Sequence, residues 1–178
     1  GCAFLDPMER KLLGKKKVTA VALPLASAKS GLPCAQILEC VQAGMNVALG
    51  TDGAVEAGNL DMFEVMRGAS MAERSRKQDA SALPSSAALM MATVCGAQAQ
   101  GRSKECGMLQ AGMDADIVLV DFTAPHLMPC HNVMNGLVFS AKGGDVAMTM
   151  VRGQILYQNG KFPTIDLNNV VEELVSEA

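Results

Sequence analysis

Charge is scarce in this sequence: 19% of residues are charged and the net charge is −3. That leaves no basic field to attract phosphate backbones and no acidic block of the interaction-tail kind, so a nucleic-acid partner is not expected. Long apolar runs are missing too. Gly, Pro or a charge interrupts each one within about ten residues, well short of the roughly 20 a membrane span needs. No basic start followed by an apolar core marks a signal peptide, and no membrane partner is expected. The six cysteines show no C-x-x-C spacing and read as reduced thiols of a cytoplasmic protein rather than a zinc knuckle or redox pair. Tryptophan is absent and tyrosine occurs once, so the 13 methionines are read as filler of irregular gaps in the core. Neither a repeat nor a low-complexity segment is present, which excludes a solenoid.

What remains is 178 residues at 49% hydrophobic content, enough for a sizeable core in one domain with or without a small appendage. Asp6 followed by Pro7 predicts a helix start, and Lys15 to Lys17 a solvated helix end. The run VTAVALPLA predicts a buried strand followed by a turn-rich stretch to Pro33. CAQILECVQAG then predicts a helix ending at Gly44, and MNVALGTDG a strand running into a polar tip. Leu60, Phe63, Met66 and Ala69 form one helical stripe, and Pro84 opens another helix that stops at Gly101. Alternating strands and helices of this kind indicate a parallel α/β architecture. Past residue 106 the pattern becomes short strands with Gly turns at Gly153 and Asn159-Gly160. The tail carries Val170, Val171, Leu174 and Val175 at helical spacing, which predicts a closing helix docked by one face.

Asp52 is the candidate catalytic residue, because it follows the apolar strand Val47 to Leu49 inside Gly50-Thr51-Asp52-Gly53. In α/β barrels the rim at the strand C-termini is where function gathers. On spacing alone the same four residues also suit an ordinary strand-to-helix turn. Five ordered blocks add weight: VALGTDGA, NLDMFEVMR, LMMATVCGAQAQG, GMLQAGMDADIVLVD and the segment from PHLMPCHN to FPTID. Together they resemble the C-terminal part of amidohydrolases, above all the 5′-methylthioadenosine/S-adenosylhomocysteine deaminases, and also the triazine chlorohydrolases. The resemblance implies the C-terminal part of a (β/α)8 TIM barrel over residues 1–105, a small composite β-sandwich over 106–163 and a C-terminal helix over 164–178. It implies hydrolytic deamination of a small-molecule nucleoside, with zinc or another divalent metal activating water. Asp52 then matches the aspartate that touches metal, water and substrate and serves as general base.

Departures from the family pattern are as informative. The metal-binding H-x-H pair and a further histidine would precede Gly1. Gly1-Cys2 stands where the family has an H-C segment, and Val21-Ala22-Leu23-Pro24 stands where it has S-H-N-P. Only His126 and His131 remain, both in the link PHLMPCH, and both are read as structural; Glu56, in the loop AVEAGN, is read as surface. About three of eight barrel strands are countable, the first beginning at Cys2, against the roughly 250 residues of a complete barrel. The expectation is therefore a chain that does not retain the metal alone and needs a missing N-terminal half or an oligomeric partner. Three functions stay open: part of a working deaminase, a catalytically dead amidohydrolase-like binding or assembly protein, and another hydrolase of the superfamily such as a guanine or cytosine deaminase.

Overall fold

Asp6 caps the first helix, α1 (Pro7–Lys15), by accepting from the Glu9 amide at 2.8 Å, while the Glu9 carboxylate accepts from the Asp6 amide at 2.9 Å. This reciprocal pair satisfies two amides that a helix start leaves open. The computed structural model describes residues 1–177; Ala178, the last residue of the expected C-terminal helix, lies outside them.

After α1 the chain forms β1 (Thr19–Ala22), α2 (Pro24–Lys29), α3 (Ile37–Gln42) and β2 (Asn46–Leu49). The two strands pair in parallel, with Ala20 opposite Val47 and Ala22 opposite Leu49. A short α4 (Ala54–Ala57) leads to α5 (Met62–Lys77), which Asp61 caps, and then to α6 (Ser85–Ala92) and α7 (Val94–Ala99). Ala20, Ala22, Ile37, Val47, Val65 and Leu83 belong to the core between the strands and these helices. Helix α1 rests on the end of α3 at Gly14, where a Cβ would lie 1.8 Å from the Ala43 carbonyl oxygen; only glycine permits that approach.

Three expectations are corrected here. Residues 1–3 form no strand, so two parallel strands are present among the described residues rather than three; Cys2 sits at φ +55°, off the extended backbone a strand requires. The strand expected over VTAVALPLA stops at Ala22: its last three residues, with the first three of the expected turn-rich stretch, form the helix α2, started by Pro24 at its first turn. The helix expected from Pro84 to Gly101 is broken at Thr93 (φ −122°, ψ −86°), separating α6 from α7.

Beyond residue 106, β3 (Ile117–Val120), β4 (Val146–Val151) and β5 (Gln154–Gln158) form one antiparallel sheet in that order. Arg152 and Gly153, both at positive φ (50° and 80°), make the tight turn joining β4 to β5, as the twist of a two-residue hairpin demands. Between β3 and β4 the chain returns to the helical side through α8 (Val133–Asn135) and a wider turn at Gly136–Ser140, with Val138 fully buried in the core. Arg67 on α5 donates to the Ala141 carbonyl at 2.6 Å and Asp61 accepts from the Gly143 amide at 2.7 Å, which fastens this return. The last helix, α9 (Leu167–Glu177), buries no residue. Docking of its apolar face, expected from the periodicity, does not occur within the described residues.

Candidate active site

Strand β2 is buried from Val47 to Leu49 and delivers Gly50 to its C-terminal end. Two residues later Asp52 adopts φ +64°, a left-handed conformation that aspartate tolerates better than most residues because its short side chain bonds locally. Its Oδ1 accepts from the Gly53 amide at 3.0 Å, and Thr51 Oγ1 donates to the Asp52 carbonyl at 2.8 Å. Asp52 is exposed and is not among the lining residues of five cavities in the helical part and around the small sheet.

Glu56 is exposed as expected, yet its carboxylate folds back over the same loop: a Cβ on Gly53 would lie 2.2 Å from Glu56 Oε2. The flexible Glu56 side chain could move aside for a larger residue, so the contact is a local fold-back of the loop that no sequence spacing announces. Lys29 on α2 donates to the Val55 carbonyl and holds α4 against that helix.

At the adjoining end of β1 the groups are apolar. A Cβ on Gly50 would come within 3.0 Å of Val21 Cγ1 and 3.1 Å of Leu23 Cδ2, so these two side chains close over the glycine. Ala22 lies on the opposite side, fully buried in the core. An imidazole at position 22 would have to enter that core, so its absence costs the rim nothing that Ala22 itself could reach in this backbone. Gly1 is exposed with nothing near its Cβ direction.

His126 and His131 are both exposed and line a small cavity of about 280 Å³ with Cys130, Asn132 and Asn135. His126 Nε2 lies 2.9 Å from Asp145 Oδ2, and Asp145 also accepts from the Lys142 amide at 3.0 Å. These contacts explain His126 as a brace in the strand-rich part. Burial works to raise the Asp145 carboxyl, but His126 and the Lys142 amide outweigh it and hold it below the ordinary carboxylate value. Among the described residues no group of three or more His, Cys, Asp or Glu side chains is placed to hold a metal ion. Since a catalytic zinc site takes three protein ligands and an open position, Asp52 does not fit one by itself.

The sequence profile of the Amidohydrolase family matches residues 1–156, most of the chain. This chain belongs to the amidohydrolase family. It is 39% identical over 173 residues to the 5-methylthioadenosine/S-adenosylhomocysteine deaminase of Moorella thermoacetica, covering 97% of this chain and 40% of that protein. It is 40% identical over 172 residues to the 5'-deoxyadenosine deaminase of Methanosarcina mazei, covering 97% and 39%. Among solved structures, a zinc-bound adenosine deaminase from Xanthomonas campestris matches with a TM-score of 0.94 and 27% identity, over 98% of this chain and 40% of that one. A zinc complex of the atrazine chlorohydrolase from Arthrobacter aurescens matches with a TM-score of 0.90 and 25% identity, over 99% and 39%. The amidohydrolase chain thus spans about 40% of the length of the curated relatives it matches. Among the described residues no helix is long and apolar enough to cross a membrane.

Proposed function

We propose that this chain is the C-terminal part of a metal-dependent hydrolytic deaminase acting on adenosine-type thioethers, and that it is inactive alone. The observation that carries the reading is the pair of deaminase relatives aligned across 97% of the chain, together with Asp52 at the C-terminal end of a parallel strand. On this reading residues 1–105 contribute to a (β/α)8 barrel and 106–163 to a β-sandwich, with 133–141 reaching back to the barrel side, and 164–178 close the chain. Zinc or another divalent metal belongs to the assembled cytoplasmic enzyme, held chiefly by groups outside this chain, with Asp52 the one ligand supplied from here. Asp52 also faces the substrate as general base: it takes a proton from the attacking water and later passes it to the departing ammonia.

The test is metal analysis of the purified chain, alone and mixed with the remainder of a deaminase relative, followed by ammonia release from 5′-methylthioadenosine. Alone, the chain is expected to bind no stoichiometric zinc; finding it bound refutes this account of the site. In the mixture, Asp52→Asn is expected to lower turnover by about 10²- to 10⁴-fold with the fold intact. Unchanged turnover in that variant removes Asp52 from the mechanism.

A second reading, a catalytically dead binding or assembly protein, is favoured by the closure of Val21 and Leu23 over Gly50, which leaves the β1 side of the rim without a polar group. Metal uptake in the mixture without release of ammonia from any nucleobase or triazine substrate selects it. Release from guanine, cytosine or a triazine instead selects another hydrolase of the superfamily.

A further inference from the structure

Helices α1 and α3 touch where Gly14 lies against the Ala43 carbonyl, and beside that contact a cleft of about 520 Å³ opens between them. Pro7, Lys11 and Lys15 line it from α1 at i, i+4 spacing, and Glu39, Gln42 and Ala43 line it from α3. Arg10 lines it too, and while Lys11 and Lys15 are exposed, Arg10 is only 8% exposed. The acids nearby are already engaged. Asp6 and Glu9 hold each other's amides in the cap of α1, and Glu39 carries both Arg76 and Lys77. Among the described residues no carboxylate forms an ion pair with Arg10, Lys11 or Lys15. A guanidinium has five N–H donors, and the one hydrogen bond that Arg10 makes among the described residues goes to the Leu5 carbonyl. A buried cation so short of acceptors is costly to keep, and an anion in the cleft would meet it. On a chain of net charge −3, three cations with no free acid around one cleft are a local reversal of sign.

We propose that this cleft is an anion site that takes the phosphate group of a small molecule. A phosphate dianion offers several acceptor oxygens, which suit the planar fork of Arg10 and the point charges of Lys11 and Lys15 together. A carboxylate brings one charge and two oxygens and leaves part of that set unmatched. A nucleic-acid backbone is matched less well still, because the cations gather at one cleft instead of tracking a strand. The volume of about 520 Å³ lies within the roughly 300–1,000 Å³ of small-molecule pockets, so an organic part has room beside Pro7 and Ala43. No lining residue of the cleft belongs to the rim at Asp52, and the site is independent of the deaminase reading.

The probes are inorganic phosphate and phenyl phosphate, titrated into the full chain by calorimetry at low ionic strength, with phenol as the uncharged control. Two variants remove the cations: Lys11→Gln combined with Lys15→Gln, and Arg10→Gln. Lys104→Gln, an exposed lysine outside the cleft, is the control variant. One-to-one binding that added salt weakens, that falls about tenfold or more in both cleft variants and that is unchanged in the control supports the proposal. Tighter binding of phenyl phosphate than of inorganic phosphate assigns the site to a phosphate ester, and equal affinity assigns it to free phosphate. Circular dichroism separates lost binding from lost folding, and the lysine pair, being exposed, remains decisive if Arg10→Gln unfolds. Affinity unchanged by loss of the two lysines overturns the proposal. So does phenol binding as tightly as phenyl phosphate, or the absence of saturable binding by either phosphate.

Discussion

The helical part and the strand-rich part are both well supplied with apolar residues, but they bury them very differently. In the first, Ala20, Ile37, Val65, Met66 and Leu83 are each at most 3% exposed and lie in one core. In the three strands of the second, Met148 alone is buried, while Val118 and Leu119 stay half exposed; along α9, Leu174 and Val175 are 64% and 73% exposed. A sheet has two faces and a helix has one apolar stripe, and each needs a layer against it. The helices α5 to α7 supply that layer to β2, whereas β3 to β5 and α9 lack one of comparable extent. The contrast teaches that apolar composition sets how much could be buried, and topology decides how much is.

The comparison breaks most directly at its two extremes. Ile37→Ala removes a fully buried side chain from the core, and a loss of about 3 kcal/mol in urea unfolding is expected. Leu174→Ala, on the unpartnered face of α9, should cost under about 0.5 kcal/mol. Equal losses would mean that α9 docks in solution and that the contrast is false.

A smaller effect sharpens the account of the helical part. Glu73 on α5 is 1% exposed and accepts from the Ile37 and Leu38 amides at 3.3 and 3.4 Å, tying α5 to the start of α3. Arg76 neutralises it at 2.7 Å. Glu73→Gln keeps the shape but loses the charge-assisted bonds, and about 2 kcal/mol of stability should go with them. A change within error would show that the Arg76 pairing contributes no net stabilisation. In the strand-rich part, Gly153→Ala forces a Cβ into φ +80° and is expected to cost about 1 kcal/mol. A loss smaller than the noise of the melting curve would show that the β4–β5 turn is not held to this geometry.

How far these features were legible depends on whether the signal was local. The helix start at Asp6-Pro7, the strand before Asp52 and the hairpin glycine all declare themselves within a few residues. Helix α2 did not, because PLASAK is one and a half turns long and too short for periodicity to tell from a turn. The α9 pattern identified an apolar face but could not say what lies against it, since a helix carries no record of its neighbour. At the candidate site, Asp52 was readable from its strand, whereas the fold of Glu56 over Gly53 and of Val21 and Leu23 over Gly50 are contacts between segments and have no spacing to betray them. Strands β1 and β2 were legible because their apolar runs are local signals, whereas the run at Cys2 gave the same signal and forms no strand.

The mildest effect concerns the ion pairs that lock α3 to α5. Partial burial works to raise the Glu39 carboxyl, but hydrogen bonds from Arg76 and Lys77 overcome it and hold the group down at about 2, against an ordinary 4.5. Arg76 is correspondingly pushed up by Glu73 and Glu39. A carboxyl depressed in the folded state adds stability that is fully present above its unfolded value and is lost as pH falls toward the folded one. The contribution should therefore be constant above about pH 5 and fade between about 4.5 and 2. Arg76 and Lys77 are 32% and 35% exposed at their side chains, so solvent screens the pairs and the whole effect is expected to stay under about 1 kcal/mol. Stability of the wild type minus that of Glu39→Gln, followed by urea unfolding along this pH range, reads it. A difference that persists undiminished to the acid end would assign the stabilisation to packing of the Glu39 side chain instead of its charge. That outcome would leave Glu73, with its two amide bonds and Arg76, as the charged contribution to the tie between α3 and α5.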